Sequence, residues 1–134
     1  MKKFKKILIV DDNDLMRDFA KLVIEEVGIM AQIVEATNGK EAIDLLSKET
    51  IEGQPTPELI ILDMQMPIMD GLEFLDELHL SKGQPVSELL DRVVVLSASV
   101  NPHYEKQAKS KGVKWYFHKP VSATILKTVL SSVA

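Results

Sequence analysis

The sequence contains no cysteine. It therefore forms no disulfide, has no thiolate nucleophile and offers no thiolate ligand to a metal, which suits a reducing compartment. Long apolar runs are also missing, because the longest is far short of the ~20 residues that span a bilayer. The charged start is followed by one short apolar run, residues 7–10, which is not typical of a secretory signal. We expect a cytoplasmic protein that makes no membrane contact.

A surplus of basic residues is missing as well. The chain has 16 Lys and Arg against 20 Asp and Glu, which gives a formal net charge of −4. Nucleic-acid binding requires clustered basic side chains in excess, so we expect no direct contact with nucleic acid. The lysines at positions 2, 3, 5 and 6 are interpreted as a solvated terminus that leads into a first strand.

The sequence also lacks internal repeats and low-complexity tracts. Its 134 residues, of which 46% are hydrophobic and 27% charged, suit one compact core and are too few for two ordinary domains. We therefore predict a single domain over residues 1–134.

Short apolar runs alternate with segments of helical period along the chain. Three of the runs are continuous, which is typical of parallel strands covered by helices on both faces. The predicted strands are residues 7–10, 31–36, 59–62, 93–96 and 115–117, and the predicted helices are 14–27, 40–48, 72–80, 102–111 and 122–133. Residues 50–57 and 82–87 are predicted loops, and 87–91 a loop or a short helical turn. This alternation predicts an α/β fold with an open parallel sheet.

A single apolar stripe runs along the first predicted helix, which ends before Gly28. The stripe consists of Leu15, Phe19, Leu22, Val23 and Val27. Such a stripe is typical of a helix that packs one face against a sheet.

Polar side chains follow four of the predicted strands at the points where the strands end. Asp11 and Asp12 follow strand one, Asp63 follows strand three, Ser97 follows strand four and Lys119 follows strand five. In open parallel sheets, ligands bind outside the carboxyl ends of the strands. Each residue alone is more simply interpreted as a helix cap or a solvent-facing side chain, but five at one edge indicate a site.

Three carboxylates at one edge would repel one another unless a cation joins them. Mg²⁺ prefers oxygen ligands in near-octahedral geometry and keeps waters that phosphate oxygens can replace. An aspartate can also attack a phosphoryl group and form an aspartyl phosphate, for which catalysis is mainly positioning and charge neutralisation. A metal on one side and Lys119 on the other would provide that neutralisation, and Ser97 could donate a hydrogen bond to a phosphoryl oxygen.

The chain resembles response regulator receiver domains in four segments: ILIVDDN (7–13), LDMQMPIMDG (62–71), LSAS (96–99) and HKP (118–120). The segment ATNGKEA (36–42) is similar to the family as well. The resemblance covers nearly the whole chain, in order and with family-like spacing. It implies a flavodoxin-like (βα)5 fold, in which a five-stranded parallel sheet of order 2-1-3-4-5 carries helices on both faces.

The resemblance also implies the roles of the residues that bind the metal and the phosphoryl group. Asp63 would be the phosphoacceptor, and Asp12 and Asp63 would be direct ligands of Mg²⁺, with Mn²⁺ as a substitute. Asp11 would act largely through water, and the backbone carbonyl of Gln65 would be the third protein ligand. Lys119 would pair with the phosphoryl group, and the peptide bond from Lys119 to Pro120 is expected to be cis.

A conformational switch is part of the same resemblance. Ser97 would take the place of the switching hydroxyl, and Tyr116 would be the aromatic residue that turns inward when Ser97 moves. The surface of helix four, strand five and helix five would then change for a downstream protein. Trp115, next to Tyr116, is either an interface anchor on this surface or a core residue.

As a receiver domain, the protein would take its phosphoryl group from a histidine kinase or a histidine phosphotransfer protein in a two-component phosphorelay. It would be a switch that catalyses only its own phosphorylation and dephosphorylation, as a monomer or a phosphorylation-dependent dimer. Since the chain stops soon after helix five, we expect no output domain, so that the signal leaves through another protein or the phosphoryl group is passed on.

Three other functions fit the sequence less well. A phosphohydrolase with an aspartyl phosphate would normally need a second acid two residues after the nucleophile, where this chain has Gln65. A flavodoxin-like cofactor domain would need a Gly- and Thr-rich phosphate loop after strand one, and none is present. A receiver-shaped module that is never phosphorylated does not need the complete set of polar residues at the strand ends.

Overall fold

The computed structural model describes residues 3–53, 56–80 and 89–133. Its strands are β1 (Lys3–Val10), β2 (Met30–Ala36), β3 (Leu59–Asp63), β4 (Val93–Ser97) and β5 (Trp115–His118). Its helices are α1 (Asp14–Val27), α2 (Gly39–Ile51), α3 (Gly71–Leu80), α4 (Pro102–Ser110) and α5 (Ala123–Val133). All strand pairs are parallel, and the strand order is β2-β1-β3-β4-β5. The expected fold class and strand order are therefore confirmed.

The bounds of the elements differ from the prediction at both starts and ends. Strand β1 begins four residues before the expected position 7, and α2 extends to Ile51, into the expected loop 50–57. The expected loop 82–87 lies outside the described residues. Of the segment 87–91, the described part is helical at Leu89 and Leu90, which favours the short helical turn over the loop. None of the described helices combines the length and apolar character needed to cross a membrane.

The core consists of two apolar layers, one on each face of the sheet. Along β1, Leu8 and Val10 belong to the layer beneath α2, α3 and α4, whereas Ile7 and Ile9 belong to the layer beneath α1 and α5. Every residue of β3 and β4 is buried. Because both faces are covered, each central strand has apolar side chains at successive positions, and this is the reason for the continuous apolar runs in the sequence.

Helix α1 buries only part of the expected stripe, namely Val23 and Val27. Leu15 is 74% exposed and Leu22 is 62% exposed, and Phe19 is exposed too. The buried residues are Ala20, Val23 and Ile24. Together with Val27, which packs against the same layer, these residues also follow helical spacing. The sequence of α1 contains two overlapping apolar stripes, and the stripe that includes the small Ala20 is the one that contacts the sheet.

Caps set the ends of α1 and α4 close to the sheet. The side chain of Asn13 accepts hydrogen bonds from the N–H groups of Leu15 and Met16, so that α1 starts at Asp14, directly after this cap. At its other end, Gly28 adopts a left-handed conformation with φ of 84°, as expected for a helix stop. Asn101 caps α4, in which Pro102 takes the first position. These caps place the loops after β1 and β4 at the carboxyl edge of the sheet.

Candidate functional site

The ends of the central strands meet at one edge because the strands are parallel and in register. Asp63 pairs with Leu96 and Ser97 pairs with His118. Hydrogen bonds join the segments that follow neighbouring strands. After β5, the Lys119 N–H donates to the carbonyl of Ser97 at the end of β4, at 2.8 Å. In the same way, the N–H group of Asp11 donates to the carbonyl of Ala36 at 3.0 Å. This edge therefore holds the residues that follow β1, β3, β4 and β5 in fixed positions.

Three carboxylates lie together at this edge. Asp11, Asp12 and Asp63 each offer an oxygen atom, and these atoms all lie within 4.8 Å of one another. Asp11 and Asp63 are buried, with Asp63 only 3% exposed, while Asp12 is exposed to solvent. The site is thus closed at its floor, where Asp11 and Asp63 lie, and open to solvent on the side of Asp12.

Lys119 reaches the two buried carboxylates from the end of β5. Its Nζ lies 3.0 Å from Asp63 Oδ1 and 3.1 Å from Asp11 Oδ2, and the side chain is 17% exposed. The peptide bond between Lys119 and Pro120 is cis, as expected. The structure therefore brings together Lys119 and the three aspartates that the sequence placed at strand ends.

The charges at this site are not balanced. Burial, followed by the charge of Asp11, raises the pKa of Asp63 from 3.8 to about 6, although Lys119 acts in the opposite direction. Burial lowers the pKa of Lys119, but its hydrogen bonds with Asp63 and Asp11 outweigh this effect and raise the pKa. A single ammonium group thus leaves part of the carboxylate repulsion uncompensated.

The donor set fits a hard divalent cation. The grouped ligand atoms are all carboxylate oxygens, and the group contains no histidine or cysteine, which would favour zinc. Magnesium is commonly held by one or two carboxylates and retains several waters, for which the open side near Asp12 leaves access. A divalent ion would also offset the repulsion that raises the pKa of Asp63.

Ser97 is fully buried at the end of β4, where other polar groups contact its hydroxyl. Its Oγ accepts a hydrogen bond from the Ser99 N–H at 3.1 Å and lies 3.4 Å from Gln65 Oε1. The N–H group of Gln65 in turn lies 3.4 Å from Asp63 Oδ1. The loops after β3 and β4 are thus connected next to Asp63. A ligand role for the Gln65 carbonyl stays a prediction.

Tyr116 and Trp115 lie on opposite faces of β5. Tyr116 packs against the layer beneath α4, and its hydroxyl is buried without a hydrogen-bond partner among the described residues. Trp115 packs against the other layer, with its ring stacked near that of Phe117 at 6.3 Å between centroids. Of the two alternatives for Trp115, the structure therefore supports core packing.

Gly71 is a residue whose importance to the site the sequence analysis missed. A Cβ atom at this position would lie 2.7 Å from the Asp63 carbonyl oxygen and 3.0 Å from Met64 Cα. Only glycine lets the start of α3 approach the end of β3 so closely. The glycine directly after Asp70, which begins a helix instead of ending one, was the available signal.

Comparison with known proteins gives a family and close relatives. The family model for the response regulator receiver domain matches residues 7–131. Sporulation initiation phosphotransferase F of Bacillus subtilis (strain 168) is 34% identical over 116 residues, which cover 87% of this chain and 82% of that protein. The nitrate/nitrite response regulator protein NarL of Escherichia coli (strain K12) is 32% identical over 96% of this chain, but the chain spans only 54% of NarL.

Solved structures agree with the sequence relatives. A two component response regulator from Cytophaga hutchinsonii has a TM-score of 0.82 and 27% identity, and the match covers 98% of each chain. The Mn²⁺-bound form of response regulator Rcp1 has a TM-score of 0.69 and 26% identity, with 96% of this chain and 88% of that chain covered. With the fold, the strand order and the sequence matches in agreement, the chain belongs to the response regulator receiver domains of two-component signalling.

Proposed function

We propose that this receiver domain is a phosphorylation switch of a two-component phosphorelay and that Asp63 accepts the phosphoryl group. The single observation that carries the proposal is the environment of Asp63. Its buried carboxylate lies 3.0 Å from Lys119 Nζ and is grouped with Asp11 and Asp12. The donor would be a phosphohistidine on a histidine kinase or a histidine phosphotransfer protein.

The reaction is a direct transfer between two side chains. A carboxylate oxygen of Asp63 forms a bond to phosphorus while the P–N bond of the phosphohistidine breaks, and the bonding electron pair stays on the imidazole nitrogen. Lys119 would move its hydrogen bond from the Asp63 carboxylate to a phosphoryl oxygen and offset its charge there. Its present position between Asp11 and Asp63 supports this role.

A magnesium ion would complete the charge balance. Asp12, Asp63 and the Gln65 carbonyl would be its protein ligands, with Asp11 acting through water. When bound, the ion supplies positive charge for the phosphoryl oxygens and orients the phosphoryl group for in-line attack. The mutual approach of Asp11, Asp12 and Asp63 supports the site, and the Mn²⁺-bound form of Rcp1 supports Mn²⁺ as a substitute.

Phosphorylation would change the surface formed by α4, β5 and α5. Ser97 would leave its contacts with Ser99 and Gln65 and donate its hydroxyl to a phosphoryl oxygen, and Tyr116 would follow toward the space that Ser97 vacates. Among the described residues, the buried Tyr116 hydroxyl has no hydrogen-bond partner, which supports a side chain with more than one arrangement. A downstream protein would read this change at the surface.

The experiment that tests the proposal is phosphorylation by a small phosphodonor such as acetyl phosphate, followed by intact mass measurement. We expect one added phosphoryl group that requires Mg²⁺, is labile in alkali and is absent in Asp63→Asn. Asp44→Asn, an exposed carboxylate on α2, is the control and should be phosphorylated like the wild type. Addition to Asp63→Asn, or release of many phosphates per protein from a simple phosphoester, would contradict the proposal.

A further inference from the structure

Arg17 does not belong to the acidic group, but it donates a hydrogen bond to the main chain of Asp11. Arg17 lies on the first turn of α1, and only 11% of its side chain is exposed. Its Nη1 donates to the main-chain carbonyl of Asp11 at 2.7 Å, and its Nε donates to Glu35 Oε1 at 3.1 Å. A third nitrogen, Nη2, contacts Asp14 on the same helix. The guanidinium group therefore joins α1, β2 and the end of β1.

The carbonyl of Asp11 is the point at which these contacts act on the site. It belongs to the peptide group between Asp11 and Asp12, so its direction sets the direction in which the chain continues to Asp12. On the other side of the same residue, the Asp11 N–H donates to Ala36, and the Asp11 carboxylate accepts from the Asn13 N–H at 2.9 Å. Without Arg17, the carbonyl would lose the only hydrogen bond that the described residues show for it.

We propose that Arg17 is a positioning residue for the metal site. It fixes the peptide plane between Asp11 and Asp12 and thereby holds the two carboxylates at the spacing that a divalent ion needs. Glu35 holds the guanidinium group in place from β2, where it pairs in register with Ile9, two residues before Asp11. This inference rests on the proposed function, since it assumes that the three aspartates bind Mg²⁺.

The positive charge of Arg17, taken alone, would weaken Mg²⁺ binding, which is the opposite of a positioning effect. A cation close to three carboxylates weakens the binding of a second cation, so removal of Arg17 would strengthen Mg²⁺ binding if only Coulomb forces mattered. The positioning role predicts weaker binding after the same change. Lys21 is the matched control, because its contacts in the described part of the chain are with Asp18 and Glu35.

The test is titration with Mg²⁺ alone by isothermal calorimetry, without a phosphodonor. We expect Arg17→Met to weaken Mg²⁺ binding about tenfold, the lower end of the losses seen when a group that orients metal ligands is removed. Arg17→Lys keeps the charge but cannot donate to both Asp11 and Glu35, so it should not restore the affinity. Lys21→Met should leave the affinity unchanged or slightly higher.

A merely structural role would give a different result. In that case the Arg17 variants would unfold at lower urea concentration in EDTA while their Mg²⁺ affinity equals that of the wild type, and this result would overturn the proposal. If both Arg17 variants fail to fold, Glu35→Gln replaces them, with Asp18→Asn as the control that loses the same charge. Glu35→Gln should bind Mg²⁺ about threefold more weakly than Asp18→Asn, because one hydrogen bond to the guanidinium is weakened. Equal affinities would overturn the inference, and a wild type that binds no Mg²⁺ would contradict the proposed function itself.

Discussion

Ionisation of the Asp63 carboxyl group destabilises the folded protein. Burial and the neighbouring Asp11 raise its pKa to about 6, so the folded protein binds a proton there more tightly than the unfolded chain does. For a raised carboxyl pKa, stability is lost as the pH rises from the ordinary value of 3.8 to the folded value of about 6. At neutral pH, the ionised carboxylate of Asp63 therefore lowers the stability of the fold.

Replacement of this carboxylate by a neutral amide should stabilise the metal-free protein. At pH 7.5 in EDTA, we expect Asp63→Asn to raise the free energy of unfolding by up to about 3 kcal/mol, as a shift of about two pKa units implies. The gain should shrink as the pH is lowered toward 4, where the wild-type carboxyl group is protonated in the fold. Urea unfolding of both proteins across this range measures the effect.

The control for this prediction is Asp44→Asn, since Asp44 is exposed on α2. It should change the free energy of unfolding by less than about 0.5 kcal/mol at every pH. Saturating Mg²⁺ should remove most of the advantage of Asp63→Asn, because the ion stabilises only the wild type. A gain that does not vary with pH would show that ionisation of Asp63 is not its cause.

At the scale of elements, the contact between β3 and α3 depends on Gly71, which has no side chain. The start of α3 approaches the end of β3 so closely that a Cβ atom on Gly71 would lie 2.7 Å from the Asp63 carbonyl oxygen. The obstacle is backbone, which cannot turn away as a flexible side chain could. Any larger residue at position 71 therefore has to move the strand end that carries Asp63.

We expect Gly71→Ala to affect both stability and phosphorylation. It should lower the free energy of unfolding by about 1–3 kcal/mol, the usual cost of overpacking, and should slow phosphorylation by acetyl phosphate. Gly28→Ala is the matched control, because Gly28 has φ of 84° but open space around its missing Cβ. That variant should lose about 1–2 kcal/mol from backbone strain alone, with an unchanged phosphorylation rate in the fraction that is folded. Equal rates for both variants would contradict this account of Gly71.

The sequence predicts the elements of this fold better than their orientation. Continuous apolar runs identify the central strands, and turn and cap residues such as Asn101 identify helix ends. The polar residues at strand ends could be foreseen as one group, because parallel strands end at a common edge. The rotation of α1 could not be foreseen, since two apolar stripes overlap in its sequence. Nor could the contact of Arg17 with Glu35, which lies 18 residues further along the chain. The pKa of Asp63 depends on burial, which a sequence does not state.

At the scale of the whole molecule, charged groups are buried near both ends of the sheet. Away from the acidic group, Lys6 Nζ on β1 lies 2.6 Å from Glu49 Oε2 on α2, and both side chains are almost fully buried. The second oxygen of Glu49 has no hydrogen-bond partner among the described residues. The Lys6 carbonyl accepts from the Glu58 N–H directly before β3, which places this ion pair toward the amino end of the strands.

Removal of one partner of such a buried ion pair should destabilise the protein strongly, whereas replacement of both partners by apolar residues should not. Lys6→Met alone leaves Glu49 buried without its partner and should lower the free energy of unfolding by about 3–5 kcal/mol. The double variant Lys6→Met with Glu49→Leu should recover most of this loss or exceed the wild type. Urea unfolding of the single and double variants measures the coupling.

Because the pair lies toward the end of the sheet opposite Asp63, the double variant should also accept a phosphoryl group from acetyl phosphate at the wild-type rate. A slower rate in a fully folded double variant would show that the two ends of the sheet are coupled. A double variant that is as unstable as Lys6→Met would contradict the role of the ion pair.

Because the side chains of β5 lie in two different apolar layers, its aromatic residues can serve as built-in spectroscopic probes. The protein has one tryptophan, and Trp115 lies on the α1 and α5 side while Tyr116 lies on the α4 side. Indole emission therefore monitors one half of the interior, and the ring signals of Tyr116 in NMR spectra monitor the other. With no added label, the two halves can be followed separately as the protein unfolds or is exposed to acetyl phosphate.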